Sequence, residues 1–289
     1  MKVPFDGTSC PVSGAQNGKR AIVAAAVALF VTFAHADESV VKDPHHGPYN
    51  QEIASVGSWK VDKGYVSLDP ADTTALMDRM QNPGVQNTWL YAPEGLKRWF
   101  SVIRYEDTGH VKDDETIDPA AILEQLKKGN ELSNEERRKR GWAELHLIGW
   151  QIEPHYESDT KRLSWATLNE SNGEKVVNYT TKVLSRTGVA TITLVTDPAS
   201  LDQSVADLKA QLDGFAFNAN QTYSEFRDGD KIAEYGLTGL IVGGAAAAAV
   251  KTGAWKWVLG IIAAGWKLIA AAAVALLASV KSLFKRRSA

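Results

Sequence analysis

Between Tyr235 and Val280 the chain is built almost wholly of Ala, Leu, Ile, Val and Gly, and no acidic residue follows Gly236. A run of that length and composition has to be buried, in protein or in a bilayer. Lys251 to Gly253 divides it into two apolar stretches, 236–250 and 254–280. As a helix the second is about 40 Å long, enough for hydrocarbon plus interface, while the first is short for a crossing of its own. Trp255, Trp257 and Trp266 suit membrane interfaces, and Lys281, Lys285, Arg286 and Arg287 suit a cytoplasmic end. Lys267 complicates the register. At mid-helix it costs about 2.5–3.5 kcal/mol unless it snorkels, and moving it to an interface draws Lys281 into the opposite headgroup zone. Both registers stay open, as does a hairpin of both stretches, which would leave the basic tail outside. Gly239 and Gly243 have the four-residue spacing that lets helices approach closely, and so allow a homodimer through the anchor.

The other end carries a matching signal. Lys19 and Arg20 precede an apolar run from Ala21 to Ala34, and Ala34-His-Ala36 offers small residues before Asp37. A basic flank, a short apolar stretch and an A-x-A site make a secretory signal peptide, with a short permanent anchor as the alternative. Cys10, the one cysteine, lies before the cut, so a mature chain has neither disulfide nor thiolate chemistry.

Charge is partitioned in the same way. The chain holds 32 basic and 34 acidic residues, but seven of the bases follow Gly236, while three bases and one acid precede Asp37. The middle is left with 22 basic and 33 acidic residues, a net charge of −11. Such a domain repels phosphate backbones, which excludes nucleic acid as a partner. The expected layout is a signal peptide (1–36), a flexible loop (37–50), an exported domain (51–231), a membrane anchor region (232–280) and a basic cytoplasmic tail (281–289).

Within the middle, periodicity predicts a strand over 64–69, a helix over 71–80 started by Asp69-Pro70, and strands over 87–92 and 99–105. Asp118-Pro119 opens a helix expected to break near Gly129. A second helix then starts from the capping box Ser133/Glu136 and ends at Gly141. Strands follow over 144–153, 162–169, 175–185 and 189–196, with Thr187-Gly188 read as the tightest turn. Asp197-Pro198 starts a helix placing Leu201, Val205, Leu208 and Leu212 on one side. Helices around consecutive hairpins indicate an α+β fold, a mostly antiparallel sheet flanked by helices, followed by the C-terminal hydrophobic transmembrane helical region.

Several segments resemble a bacterial family of predicted membrane-anchored proteins, domain of unknown function 2167. They include Leu145-His-Leu-Ile-Gly-Trp-Gln-Ile-Glu-Pro-His-Tyr156, Lys161-Arg-Leu-Ser-Trp-Ala166, Tyr105-Glu-Asp-Thr-Gly109 with Val111, and Asn134-Glu-Glu-Arg137 before Gly141. Asn178 to Gly188, and Phe217-Asn218 through Tyr223 to Gly236, complete the likeness. The resemblance implies an envelope location, with the domain in the periplasm on the inner membrane and the C-terminus cytoplasmic. It brings no activity.

Chemistry-bearing residues are few. His146, Glu144, Glu153 and His155, with His110, are the candidate metal ligands, since two His and a carboxylate can hold zinc. No helical H-E-x-x-H spacing, G-x-S-x-G elbow, P-loop or dinucleotide fingerprint occurs. Asp113, Asp114 and Glu115 form an acidic cluster. Trp142, Trp150, Tyr156 and Trp165 are either a partner-binding patch or the filling of the sheet–helix core. No cofactor is implied and the catalytic residues are unknown. The lipid bilayer and envelope proteins are the expected partners of a binding or scaffolding module. The rival readings are a tethered hydrolase using His146 and His155, and an accessory subunit of a membrane complex.

Overall fold

Three of the chain's four Asp-Pro pairs open a helix. The computed structural model describes residues 44–82, 87–95 and 98–243. Helix α1 (Pro70–Arg79) begins where Asp69 accepts the backbone N–H of Asp72 at 2.9 Å. Helix α2 (Pro119–Lys139) begins where Asp118 accepts from Ala120 and Ala121. Asp197 accepts from Ala199 and Ser200 to start a 3-10 turn that runs into α3 (Leu201–Leu212). In each case the carboxylate satisfies orphan donors and proline occupies a position with no N–H to satisfy.

Two sheets form the frame. The larger has eight strands: β1 (His45–His46), β4 (Tyr65–Leu68), β5 (Thr88–Pro93), β6 (Trp99–Glu106), β7 (His146–Glu157), β8 (Arg162–Ser171), β9 (Glu174–Leu184) and β10 (Val189–Thr196). Their spatial order is β1-β4-β5-β6-β10-β9-β8-β7, antiparallel throughout. The smaller joins β2 (Tyr49–Ile53), β3 (Gly57–Val61) and β11 (Phe215–Phe217). The fold is therefore α+β with a mostly antiparallel sheet. A short helix, α4 (Leu237–Val242), ends the described chain at Gly243.

Strand alternation sorts the core onto two faces of the large sheet. On one face Tyr179, Ile192, Leu194, Tyr91 and Trp99 pack against α3 and the small sheet, and Trp59 stacks on Tyr91 at 4.6 Å. On the other, α1 covers Leu68, Leu90 and Phe100, while α2 and α4 cover Leu163, Trp165, Leu184 and Val189.

Several expectations are corrected. Helix α2 runs unbroken through Gly129, and Ser133 lies mid-helix rather than at a cap. The asparagine side chains on its inner face hold the helix to β7: Asn130 and Asn134 both donate to the Leu145 carbonyl and accept from the Leu147 and Leu145 N–H groups. That tertiary anchoring outweighs the roughly 1 kcal/mol weakness of glycine in a helix. The tightest hairpin is at Asn172-Gly173, where Ser171 pairs with Glu174 and both turn residues have positive φ (53° and 82°). Such a turn needs a pair like Asn-Gly. Strands β1 and β2 begin inside the segment expected to be a loop.

The largest correction concerns the start of the apolar run. Leu237, Leu240 and Ile241 are buried in the same core as Ile122 and Trp165, so α4 belongs to the folded domain. Gly243 ends the helix in a left-handed conformation (φ 94°), and a Cβ on Gly239 would meet the Tyr235 side-chain carbons at 2.5–3.0 Å. Gly239 is buried and Gly243 is the exposed cap that ends the helix, so Gly239 serves packing inside the domain. Among the described residues no helix is long and apolar enough to cross a membrane. The signal with Ala34 and Ala36, and Trp255, Trp257, Trp266, Lys267, Lys281, Lys285, Arg286 and Arg287, lie outside the described residues.

Candidate functional site

The proposed metal ligands are not brought together. His146 and His155 sit at opposite ends of β7, facing Glu170 and Ser164 of β8. At about 3.3 Å per residue they are roughly 30 Å apart. His146 lies 3.9 Å from Glu144, which itself pairs with Arg138 at 2.9 Å. His155 lies 3.8 Å from Glu157, and Glu153 is exposed between them. Among the described residues no group of three or more His, Cys, Asp or Glu could hold a metal. The hydrolase built on these histidines loses its centre.

The aromatic patch resolves mostly into core. Trp165 is buried, Trp150 packs beside it with its indole N–H donating to the Pro119 carbonyl, and Tyr156 donates to Asp113. Trp142 lies apart, under the guanidinium groups of Arg137 and Arg140. Bulky rings next to a sheet are drawn under the covering helix by the apolar area they remove from water.

What the structure does assemble is a polar network at the end of the sheet that carries the β9–β10 turn. Arg186 in that turn donates to both carboxylate oxygens of Asp230 at 2.7 Å, and Tyr105 bonds the hydroxyls of Ser185 and Thr187 at 3.0 Å. His110 stacks between Tyr223 and Phe226 (4.3 and 4.2 Å) and meets the Arg186 carbonyl through Nδ1. Burial lowers its pKa, favouring the neutral ring. Gly109 must be glycine here: φ is 93° and the 231–233 backbone approaches within 2.9 Å of where a Cβ would stand. Nearby, Asp113 Oδ2 accepts from Tyr156 at 2.7 Å and from Lys161 at 2.8 Å. Burial pushes the Asp113 carboxyl up, but these hydrogen bonds outweigh it and hold the group at about 2. Arg186, first, and then the Arg227 N–H hold Asp230 at about 2. Glu115 accepts the N–H of Thr238 at the start of α4. Two members of the acidic cluster are therefore engaged inside the protein, and the network's polar groups bond one another.

An open polar cavity of about 260 Å³ lies elsewhere, between the C-terminal turn of α3 and the sheet. It is lined by Glu157, Arg162, Ser164, Tyr179, Thr181, Lys209, Ala210, Leu212 and Asp213. Reading the sequence missed this set, because its members come from four elements. The only local hint was Arg162 and Ser164 sharing one face of a strand.

The sequence model of a family described as "Protein of unknown function (DUF2167)" matches residues 45–277. No curated protein matches the chain. Among solved structures, the chain is similar to the solution structure of cyanobacterial PsbP (CyanoP) from Synechocystis sp. PCC 6803, at 10% identity and a TM-score of 0.35. That likeness covers 61% of this chain and 92% of the other.

Proposed function

Since the chain belongs to the DUF2167 family of proteins of unknown function, we propose that it is a binding module displayed from a bacterial inner membrane. Its α+β domain faces the periplasm, one C-terminal crossing holds it, and its partners are envelope proteins. The observation that carries this reading is the burial of α4. Leu237, Leu240 and Ile241 belong to the domain core, so of the first apolar stretch only 244–250 is left over. Seven residues reach about 11 Å as a helix, against roughly 30 Å of hydrocarbon. This supports a single crossing over 254–280 in preference to a hairpin. The basic tail is then cytoplasmic and the acidic domain lies on the side to which the N-terminal signal would export it.

A binding role agrees with the way polar groups are used at the sheet end. Asp113, Asp230, Arg186 and Tyr156 are bonded to one another or to backbone, an arrangement that holds shape. Protease treatment of intact spheroplasts carrying a C-terminally tagged chain tests the reading. The expected result is digestion of the domain with a short tagged fragment protected. A protected domain with a lost tag would overturn it.

A further inference from the structure

The cavity beneath α3 has a composition that selects its occupant. Register places Glu157 opposite Arg162 and Ser164 opposite Thr181, with Tyr179 opposite Ala166. Cross-strand partners share a face, so Glu157, Arg162, Ser164, Tyr179 and Thr181 all look toward α3. The last turn of α3 and its cap close the space with Lys209, Leu212 and Asp213.

Most of these groups have partial partners. Ser164 donates to Thr181 at 2.9 Å, and Glu157 accepts from Thr160 at 2.9 Å. The Nε of Arg162 is buried and has no hydrogen-bond partner among the described residues. A buried donor left unsatisfied is costly, more so when it is charged.

We infer that this cavity binds a small zwitterion of the α-amino-acid type, with its carboxylate on Arg162 and Lys209 and its ammonium group toward Glu157 and Asp213. A simple anion would meet the two carboxylates, and a simple cation the two bases. A molecule carrying both charges close together satisfies all four. Volume sets the scale, since 260 Å³ is room for about eight waters, hence for a molecule of about that many non-hydrogen atoms. Ser164, Tyr179 and Thr181 are among the lining residues for the remaining polar atoms, and Ala210 and Leu212 among those for a short apolar side chain. This inference is independent of membrane orientation.

The test uses the full-length protein in detergent micelles, titrated calorimetrically with the free L-α-amino acids and, separately, with acetate and methylamine. At least one amino acid is expected to bind in the millimolar range or tighter, with acetate and methylamine weaker by about tenfold or more. Arg162→Met should weaken that binding by about tenfold or more, as loss of a charged hydrogen bond does. Lys209→Met and Asp213→Asn, both at exposed positions, repeat the test without risk to the fold and should each weaken binding. The proposal is overturned if no amino acid binds, if acetate or methylamine binds as tightly as the best amino acid, or if the exposed-site variants leave its affinity unchanged.

Discussion

Arg186 and Asp230 meet side-on, Nε to Oδ2 and a terminal nitrogen to Oδ1, both at 2.7 Å, and are only 16% and 13% exposed. The pair ties the β9–β10 turn to the segment that leads into α4. Lysine carries the same charge but cannot make the two-pronged contact. Arg186→Lys is therefore expected to lower the thermal midpoint by nearly as much as Arg186→Met. A lysine variant that melts with wild type would show that charge alone suffices.

Acid should loosen the sheet end. Asp113 and Asp230 are held at about 2 in the folded chain, below the ordinary carboxylate value near 3.9. A depressed carboxyl contributes stability in full above its unfolded pKa and loses it as pH falls through its folded one. Urea midpoints should therefore be flat above about pH 5 and fall between about pH 4 and pH 2. Because Asp113 is partly solvated, its share is about 1 kcal/mol, and Asp113→Asn should flatten the acid limb by about that amount.

Leu240 separates a core helix from a lipid-facing one. It is 3% exposed and packs in the core with Ile122, Trp165 and Leu237. Leu240→Ala should destabilise the domain by about 2–5 kcal/mol in urea unfolding of the detergent-solubilised chain. An unchanged midpoint would mean that α4 is not part of the cooperative unit.

Gly129 offers the opposite sign. It lies within α2, and a Cβ there meets nothing within 4 Å. Gly129→Ala should stabilise the domain by about 0.5–1 kcal/mol, read as a higher thermal midpoint.

Zinc content distinguishes the histidines of β7 from a metal centre. With ligands roughly 30 Å apart on an extended strand, the His146→Ala, His155→Ala double variant should carry the same zinc as wild type after dialysis. Stoichiometric zinc lost in the double variant would reinstate a metal site.

Much of this architecture was legible along the chain. Three Asp-Pro pairs started three helices where expected, and strands β6 and β10 ended within a residue of the alternation that predicted them. The small sheet was not legible, because β2, β3 and β11 are short and the β3–β11 pairing joins residues more than 150 positions apart. Its Trp59 acquires meaning only by stacking on Tyr91.

The sequence alone determined what a few neighbouring residues can decide. Proline removes a donor and aspartate caps one, alternation gives a strand two faces, and an unbroken apolar run demands burial. Those effects act over one or two turns of backbone and need no knowledge of the rest of the chain. Tertiary structure decided how separate segments meet: that Asn130 and Asn134 tie α2 to β7, that Gly239 ends up buried in a domain, and that Arg162 comes to share a cavity with Lys209 and Asp213. Those outcomes depend on strand register and helix docking, which are set by the packing of the whole core and are written in no single stretch of residues.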